Sequence, residues 1–275
     1  MSKSNRTKIA KDTLEILQRG SYTNNQGELI DIAEAQKTAV MSSRVLKPDE
    51  LIEQTEDLTV EPRFESTKFV VNHRTTLDSL RKEHDGTDGL AYLNFASAKN
   101  PGGGFLKGSQ AQEESIARAS GLYPCLERGQ VYYNSNRRVK TCLYTDHMIY
   151  SPLVPVIKNE DGSLMDQPLL ASVVTAPAVN AGVVLQREPQ NVDAIDQIMS
   201  RRIDMVLGLF YKHGYHTLIL GAWGCGVFKN DPANIAGLFH AHLTGKYANA
   251  FKKVVFSVFD RDDRIIKPFQ RLFGG

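Results

Sequence analysis

The sequence predicts an α/β protein of three layers, in which helices cover both faces of a mixed central sheet. From residue 66 onward, short apolar runs rich in strand-forming residues alternate with segments at helical spacing, and such alternation is typical of these folds. Two of the runs, LILGAW (218–223) and VVFSVF (254–259), are almost unbroken, as expected of strands that are buried on both faces. Glycine-rich loops follow two predicted strands, and ligands of such sheets bind beyond the carboxyl ends of the strands.

Composition and charge narrow the range of functions. The chain has 275 residues, of which 41% are hydrophobic and 23% are charged, and its net charge is +2; a disordered or fibrous protein is therefore excluded. Lys and Arg do not cluster among aromatic residues, so direct nucleic-acid binding is not expected. No segment approaches the roughly 18 apolar residues of a membrane span, so no membrane partner is expected. Three cysteines without a CxxC pair fit a reducing compartment, and we expect a cytoplasmic monomer.

Residues 1–65 are predicted to form an N-terminal extension, and residues 66–275 the main domain. Apolar residues at helical spacing before Gly20 predict a first helix. The segment SYTNNQGELI (21–30) resembles two short strands around a turn. Residues 32–56 are charge-rich and are predicted to be helical, with Pro48 near a helix start.

The main domain is predicted to alternate strands with helices. The predicted strands are TKFVVN (67–72), LAYLNFA (90–96), HMIYSP (147–152), SVVTAP (172–177), HTLILGAW (216–223) and KVVFSVFD (253–260). The predicted helices span 76–84, 110–120, 193–214, 232–245 and 265–273.

The first informative segment is NFASAKNPGGGFLKGSQAQEESIARAS (94–120). Its three consecutive glycines (102–104) permit positive φ and let main-chain N–H groups approach a phosphate or a ribose closely. The helix that follows directs the positive end of its dipole toward the same space. A turn without a ligand is the alternative interpretation. The Gln-Glu-Glu run at 112–114 favours a ligand site, although two carboxylates in a first helical turn also occur simply as complements of the helix dipole.

This segment resembles a known family. Three glycines, seven residues and then Gln-Glu-Glu resemble the GGG-x(6–8)-QEE signature of poly(ADP-ribose) glycohydrolases. The surrounding sequence is most similar to the bacterial type of that enzyme, which is built on a macrodomain. The similarity extends from about Thr67 to the C-terminus and includes the N-terminal extension. It implies a macrodomain-like fold and hydrolysis of the ribose–ribose O-glycosidic bonds of poly(ADP-ribose). The implied partners are this polymer or ADP-ribosylated proteins, with ADP-ribose as product.

A second glycine loop lies in LILGAWGCGVFKNDPANIAGLF (218–239), between a predicted buried strand and a helix. It resembles the macrodomain loop that wraps the diphosphate of ADP-ribose, and by this resemblance the ligand contacts are Gly224, Cys225, Gly226, Val227 and Phe228. An ordinary strand–helix connection is the alternative. Phe228 is expected either to lie over the distal sugar or only to anchor the helix. Cys225 has no paired base in the sequence, which disfavours a role as nucleophile.

The resemblance also implies a role for each residue of the first loop. Glu114 is the implied proton donor to the departing 2′-oxygen and then the base that activates water, while Glu113 binds ribose hydroxyls. The groups expected to hold the sugar and the phosphate are Asn94, Asn100, Gly102, Gly103, Gly104 and Gln112. No cofactor and no metal are expected, because N–H-rich loops and a helix end can supply the positive potential that phosphates need. Apposed glutamates raise each other's pKa, and we expect this to help keep one of them protonated near neutral pH.

Three alternatives belong to other functional classes. One is a non-catalytic ADP-ribose reader with the same fold, which would have no need of a proton donor. Another is a mono-ADP-ribosyl-protein hydrolase, which differs in the substrate it consumes. An RNA- or nucleotide-binding module is the third, and the near-neutral charge disfavours it.

Overall fold

A computed structural model describes residues 1–259 and 263–274 of the chain, and its centre is a seven-stranded sheet. The strands of the described residues are β1 (Ser21–Thr23), β2 (Leu29–Asp31), β3 (Arg44–Leu46), β4 (Lys68–Asn72), β5 (Leu90–Phe95), β6 (Met148–Lys158), β7 (Leu164–Ala176), β8 (Thr217–Leu220) and β9 (Lys253–Ser257). The sheet has the order β3-β6-β7-β5-β8-β9-β4, while β1 and β2 form a separate antiparallel hairpin.

The sheet is mixed, as the sequence predicts. Strand β5 is parallel to both of its neighbours, β7 and β8, and β9 is parallel to β8 and β4. Strand β6 is antiparallel to β7 and to β3. The parallel part of the sheet therefore places the carboxyl ends of β4, β5, β8 and β9 at one edge.

Helices cover both faces of the sheet. They are α1 (Lys3–Arg19), α2 (Ala33–Ser42), α3 (Pro48–Thr55), α4 (Thr76–Glu83), α5 (Gln112–Ala119), α6 (Leu122–Glu127), α7 (Gln130–Arg138), α8 (Ala181–Arg187), α9 (Ala194–Lys212), α10 (Pro232–Thr244) and α11 (Ile266–Phe273). Side chains of β5 alternate between two buried clusters: Leu93 packs with residues of α9 to α11, and Tyr92 packs with residues of α2 and of α4 to α7. This alternation is the three-layer arrangement that the sequence predicts.

The N-terminal region differs from its prediction at one point. Helix α1 ends at Gly20, whose φ of 78° is left-handed, and the predicted hairpin is present as β1 and β2. Residues 32–56, however, are not helical throughout. Strand β3 interrupts them and pairs with the first residues of β6, where Val45 and Leu46 cover the sheet edge with apolar side chains. In the sequence, the surrounding charged residues obscure this short apolar pair.

Strands β6 and β7 are longer than predicted and form a hairpin. Two prolines lie in β6, Pro152 at the end of the predicted strand and Pro155 beyond it, and proline cannot donate a ladder hydrogen bond. Pro152 lies where the register with β7 shifts between Ser151 and Val154, an irregularity that tolerates proline, and Pro155 lies beyond residues 148–150, which pair with β3. Asp260, at the end of the last predicted strand, lies outside the described residues.

Two features of the fold position the candidate site. The triple-glycine segment follows β5, and the second glycine loop follows β8, the strand that pairs with β5. The two loops therefore meet at one edge of the sheet, as expected for a ligand site of this fold class. Of the helices in the described part of the chain, none has the length and apolarity that crossing a membrane requires.

Candidate active site

A cleft of about 1540 Å³ opens where the loops that follow β4, β5, β8 and β9 meet. Its walls include eleven residues that the sequence proposes for the site: Asn100, Gly103, Gly104, Gln112, Glu113, Glu114, Gly224, Cys225, Gly226, Val227 and Phe228. Asn94 and Gly102 lie behind this surface, since both are buried and neither forms part of the wall. The fold thus brings two segments more than 100 residues apart in the sequence to one cavity.

The triple-glycine loop needs glycine for both conformation and space. Gly102 and Gly103 have φ values of 65° and 58°, in the left-handed region that other residues rarely adopt. A Cβ atom on Gly103 would overlap Glu114 Oε1 and would lie 3.3 Å from Glu113 Oε2. The loop therefore lies directly against the paired carboxyl groups, and Gly104 N–H donates to Glu114 Oε1 over 2.9 Å.

Glu113 is the deeper of the two acids. Its side chain is almost fully buried, its Oε2 accepts from the main-chain N–H of Ser97 over 2.7 Å, and its Oε1 accepts from Asn94 Nδ2 over 3.3 Å. Burial, with the nearby Glu114 carboxylate as a smaller cause, raises the pKa of Glu113 to about 8. Near neutral pH, the Glu113 carboxyl is therefore mostly protonated. The direction agrees with the sequence expectation, but loss of solvent rather than mutual repulsion is its main cause.

Glu114 is only partly buried and faces the cleft. Its Oε1 accepts a hydrogen bond from Gly104 N–H, which fixes this oxygen against the loop. Adjacent residues of a helix point about 100° apart, and this divergence buries Glu113 while it leaves Glu114 accessible. The two carboxyl groups of one Glu-Glu pair thus occupy different environments, which allows them different chemical roles.

Two of the predicted site residues, Asn94 and Gln112, form hydrogen bonds with other residues of the protein. Asn94 is fully buried and donates from Nδ2 to Glu113 and to Thr175 Oγ1. Asn94 is expected to contact ribose directly, but its side chain is fully buried, lies behind Glu113 and is not part of the cleft wall. Gln112 accepts from Phe95 N–H and donates to Leu93 O, both over 2.8 Å, so its amide fastens the start of α5 to the end of β5.

The 224–228 loop presents a main-chain surface to the cleft. Gly224 has a φ of 76°, and a Cβ atom there would lie 2.7 Å from Ala178 Cβ, so this position is packed closely. In the described residues, nothing lies within 4 Å of a Cβ atom placed on Gly226, so there is open space beside its Cα. Val227 is 79% exposed. The ring of Phe228 lies 6.1 Å from that of Tyr144.

Two further chemistries receive no support in this cleft. Cys225 is buried, and burial raises the pKa of its thiol above the ordinary value, which disfavours the thiolate that a nucleophile requires. Among residues 1–259 and 263–274, no group of three or more His, Cys, Asp and Glu side chains is arranged to hold a metal ion.

The structure adds Arg118 to the residues that shape the site. Arg118 is 5% exposed, and its guanidinium donates to Ser109 O, Gln110 Oε1 and Ser115 Oγ. It therefore holds the segment between the glycines and α5. The i,i+4 spacing from Glu114 to Arg118 on a helix is a sequence signal that could have indicated the role of Arg118. The hydrogen bond from Ser97 N–H to Glu113 has no such signal, because any residue type can supply a main-chain donor.

Comparisons with known proteins find a matching family model and similar solved structures. Residues 10–159 match the family model described as the catalytic domain of microbial-type PARG, that is, poly(ADP-ribose) glycohydrolase. The chain is similar to the crystal structure of poly(ADP-ribose) glycohydrolase from Thermomonospora curvata, with 39% identity, a TM-score of 0.91 and 98% of each chain covered. A structure of that enzyme bound to the inhibitor ADP-HPD gives a TM-score of 0.90 at 39% identity, with 98% of this chain and 99% of that chain covered.

A second relative extends the comparison. Poly(ADP-ribose) glycohydrolase from Deinococcus radiodurans in complex with ADP-ribose is 40% identical, with a TM-score of 0.82 over 86% of this chain and 96% of that chain. No curated protein sequence matches the chain at a significant level.

Proposed function

Because the chain belongs to the microbial-type poly(ADP-ribose) glycohydrolase family, we propose that its cleft binds the terminal ADP-ribose unit of the polymer and that Glu114 protonates the leaving oxygen. The enzyme is a glycosidase that hydrolyses the ribose–ribose O-glycosidic bonds of poly(ADP-ribose) and releases ADP-ribose. The observation that carries the assignment of roles is the placement of a buried and an accessible carboxyl group side by side under the triple-glycine loop.

Glu114 is the acid and base of this proposal. Cleavage at an anomeric carbon passes through an oxocarbenium-like state, and the departing oxygen needs a proton. Glu114 faces the cleft, so its carboxyl can reach the 2′-oxygen of the leaving ribose. The carboxylate left after the transfer then removes a proton from the incoming water. This single-acid scheme departs from the usual pair of carboxylates in glycosidases.

Glu113 orients the sugar in this scheme. A protonated Glu113 retains an O–H donor for a ribose hydroxyl while its oxygens accept from Ser97 N–H and Asn94. The diphosphate binds the main-chain N–H groups of the 224–228 loop, beside the open space at Gly226, and Phe228 lies over the distal ribose. Asn100 and the glycines at 103 and 104 complete the ribose site. Gln112 contributes by fixing the start of α5.

We expect the activity of the wild-type enzyme to fall as the pH rises through about 8, the pKa of Glu113. Ionised Glu113 places a second negative charge beside Glu114 and loses its hydroxyl donor. In Glu113→Gln, which cannot ionise, this fall in kcat/KM should be absent from the same pH range. The measurement is a pH profile of kcat/KM for both proteins, and superimposable basic limbs would contradict the assignment.

Folding stability gives an independent readout of the same group. An unfolded glutamate has a pKa of 4.5, whereas Glu113 in the folded protein has a pKa of about 8. Between these values the folded protein holds a proton that the unfolded chain has released, so the free energy of unfolding decreases as the pH rises. In thermal unfolding from pH 5 to 9, the stability of Glu113→Gln relative to the wild type should therefore increase with pH, by a few kcal/mol at most.

The choice of substrate separates the enzyme from its alternatives. We expect the purified protein to shorten long polymer and to release ADP-ribose, and to leave a protein with one ADP-ribose on an amino acid largely unchanged. Consumption of the singly modified protein in preference to polymer would instead indicate a mono-ADP-ribosyl-protein hydrolase. Binding of ADP-ribose without turnover of either substrate would indicate a reader.

Several wider assignments accompany this proposal. We propose a macrodomain core formed by residues 66–275 with residues 1–65 as an extension packed on it, a monomeric enzyme, and ADP-ribosylated proteins as carriers of the polymer. The contacts of α1 with α5 support the packing of the extension. The cytoplasm is the proposed compartment, since Cys125, Cys142 and Cys225 are free thiols and suit a reducing environment.

A further inference from the structure

The cleft is larger than one ADP-ribose unit requires. Its volume of about 1540 Å³ exceeds the 300–1,000 Å³ or so that is common for pockets of single small ligands. Its wall also includes Leu106, Lys107 and Gln110, which lie between the triple glycine and α5, and Ser115, which follows Glu114. A unit placed between the 224–228 loop and Glu114 therefore leaves this part of the cleft unfilled.

The N-terminal end of α1 brings positive charge next to Gly108, the residue that follows Lys107 of the cleft wall. The first eleven residues carry four basic side chains and no acidic one. A Cβ atom on Gly108 would lie 2.6 Å from the main-chain oxygen of Lys3 and 2.9 Å from its Cγ, and Arg6 Nε donates to Gly108 O over 2.7 Å. Lys3, Arg6 and Lys107, which precedes Gly108, are therefore neighbours, and we call them the basic cluster.

The chemistry of the substrate supplies a ligand for this cluster. When the bond at Glu114 breaks, the leaving 2′-oxygen belongs to an adenosine whose 5′-diphosphate is only a few bonds away. We propose that the basic cluster is a binding subsite for this diphosphate, that is, for the polymer unit on the leaving side of the scissile bond. This inference rests on the proposed position of the scissile bond at Glu114.

The members of the cluster differ in how firmly they are held. Arg6 is partly buried and fixed by Gly108, whereas Lys3 and Lys107 are exposed, and the described residues provide no recorded hydrogen bond to either ammonium group. Glu160 also lines the cleft, and burial raises the pKa of its carboxyl. Two lysines are thus available to a diphosphate without breaking a contact of the fold.

The test neutralises these two lysines and compares them with a matched pair on the same helix. In Lys3→Met/Lys107→Met we expect KM for long polymer to rise about three- to tenfold, with kcat retained. Lys8 and Lys11 are exposed residues of α1, and Lys8→Met/Lys11→Met removes the same charge without altering the cluster; its KM should stay near that of the wild type. High salt should weaken polymer binding by the wild type more than by the cluster variant.

Two further substrates distinguish the subsite from the rest of the cleft. The affinity for free ADP-ribose, and kcat/KM for an ADP-ribose glycoside with an uncharged alcohol as leaving group, should be unchanged in the cluster variant. An unchanged polymer KM, an equal rise in the Lys8/Lys11 control, or a parallel loss of ADP-ribose affinity would each overturn the subsite. The role of Glu114 is tested separately by its own variant, so a failure of the subsite can be distinguished from a failure of the proposed function.

Discussion

Replacing Glu114 by glutamine should lower kcat on poly(ADP-ribose) by about 10³-fold, within the range that general acid–base groups contribute. The glutamine carbonyl can still accept from Gly104 N–H, the recorded bond of Glu114, so the loop should keep its position. Only the transferable proton is lost. Steady-state release of ADP-ribose from polymer measures the effect.

Binding is the control for this variant. Calorimetric titration with ADP-ribose should give a dissociation constant close to that of the wild type, because the 224–228 loop and the ribose contacts are intact. A Glu114→Gln protein that retains more than a tenth of the wild-type kcat would contradict the role of Glu114 as proton donor. Equal and negligible turnover in both proteins would support a reader instead.

Gly103→Ala is expected to cause the second large loss, of about 10²-fold or more in kcat/KM. The new Cβ atom would overlap Glu114 Oε1, so the carboxyl must move away from the position that the reaction requires, and displacements of about 1 Å can cost that much. The φ of 58° at this position adds backbone strain, which is on the order of 1 kcal/mol for a residue with a side chain.

Gly27→Ala provides a matched control for the strain. Gly27 has a φ of 82°, and a Cβ atom there meets nothing within 4 Å among the described residues. Both substitutions place alanine in the left-handed region, but only the one at Gly103 reaches Glu114. We expect the two variants to lose similar thermal stability and only Gly103→Ala to lose activity. Normal activity in both variants would show that the loop tolerates the added carbon.

Much of the fold and of the site was accessible from the sequence because its signals are local. Unbroken apolar runs predict β8 and β9, and three glycines followed by Gln-Glu-Glu predict the loop and the start of α5. The parallel pairing of β5 with β8 then brings the two glycine loops together, which follows from the general placement of ligand sites in such sheets.

The remaining features depend on contacts between distant residues. Strand β3 is too short and too close to charged residues to be recognised before β6 is known as its partner. The burial that raises the pKa of Glu113 comes from side chains of several elements, and so does the position of Asn94 behind it. The link from Arg6 to Gly108 joins residues 102 positions apart, and no local pattern in the sequence indicates it.

A crystal structure of the protein with bound ADP-ribose would test most directly whether the carboxyl pair meets the distal sugar. We predict the anomeric carbon beside Glu114, a ribose hydroxyl hydrogen-bonded to Glu113, and the diphosphate on the main chain of the 224–228 loop. A distal ribose that lies outside hydrogen-bonding reach of both glutamates, with the nucleotide held elsewhere in the cleft, would contradict the assignment.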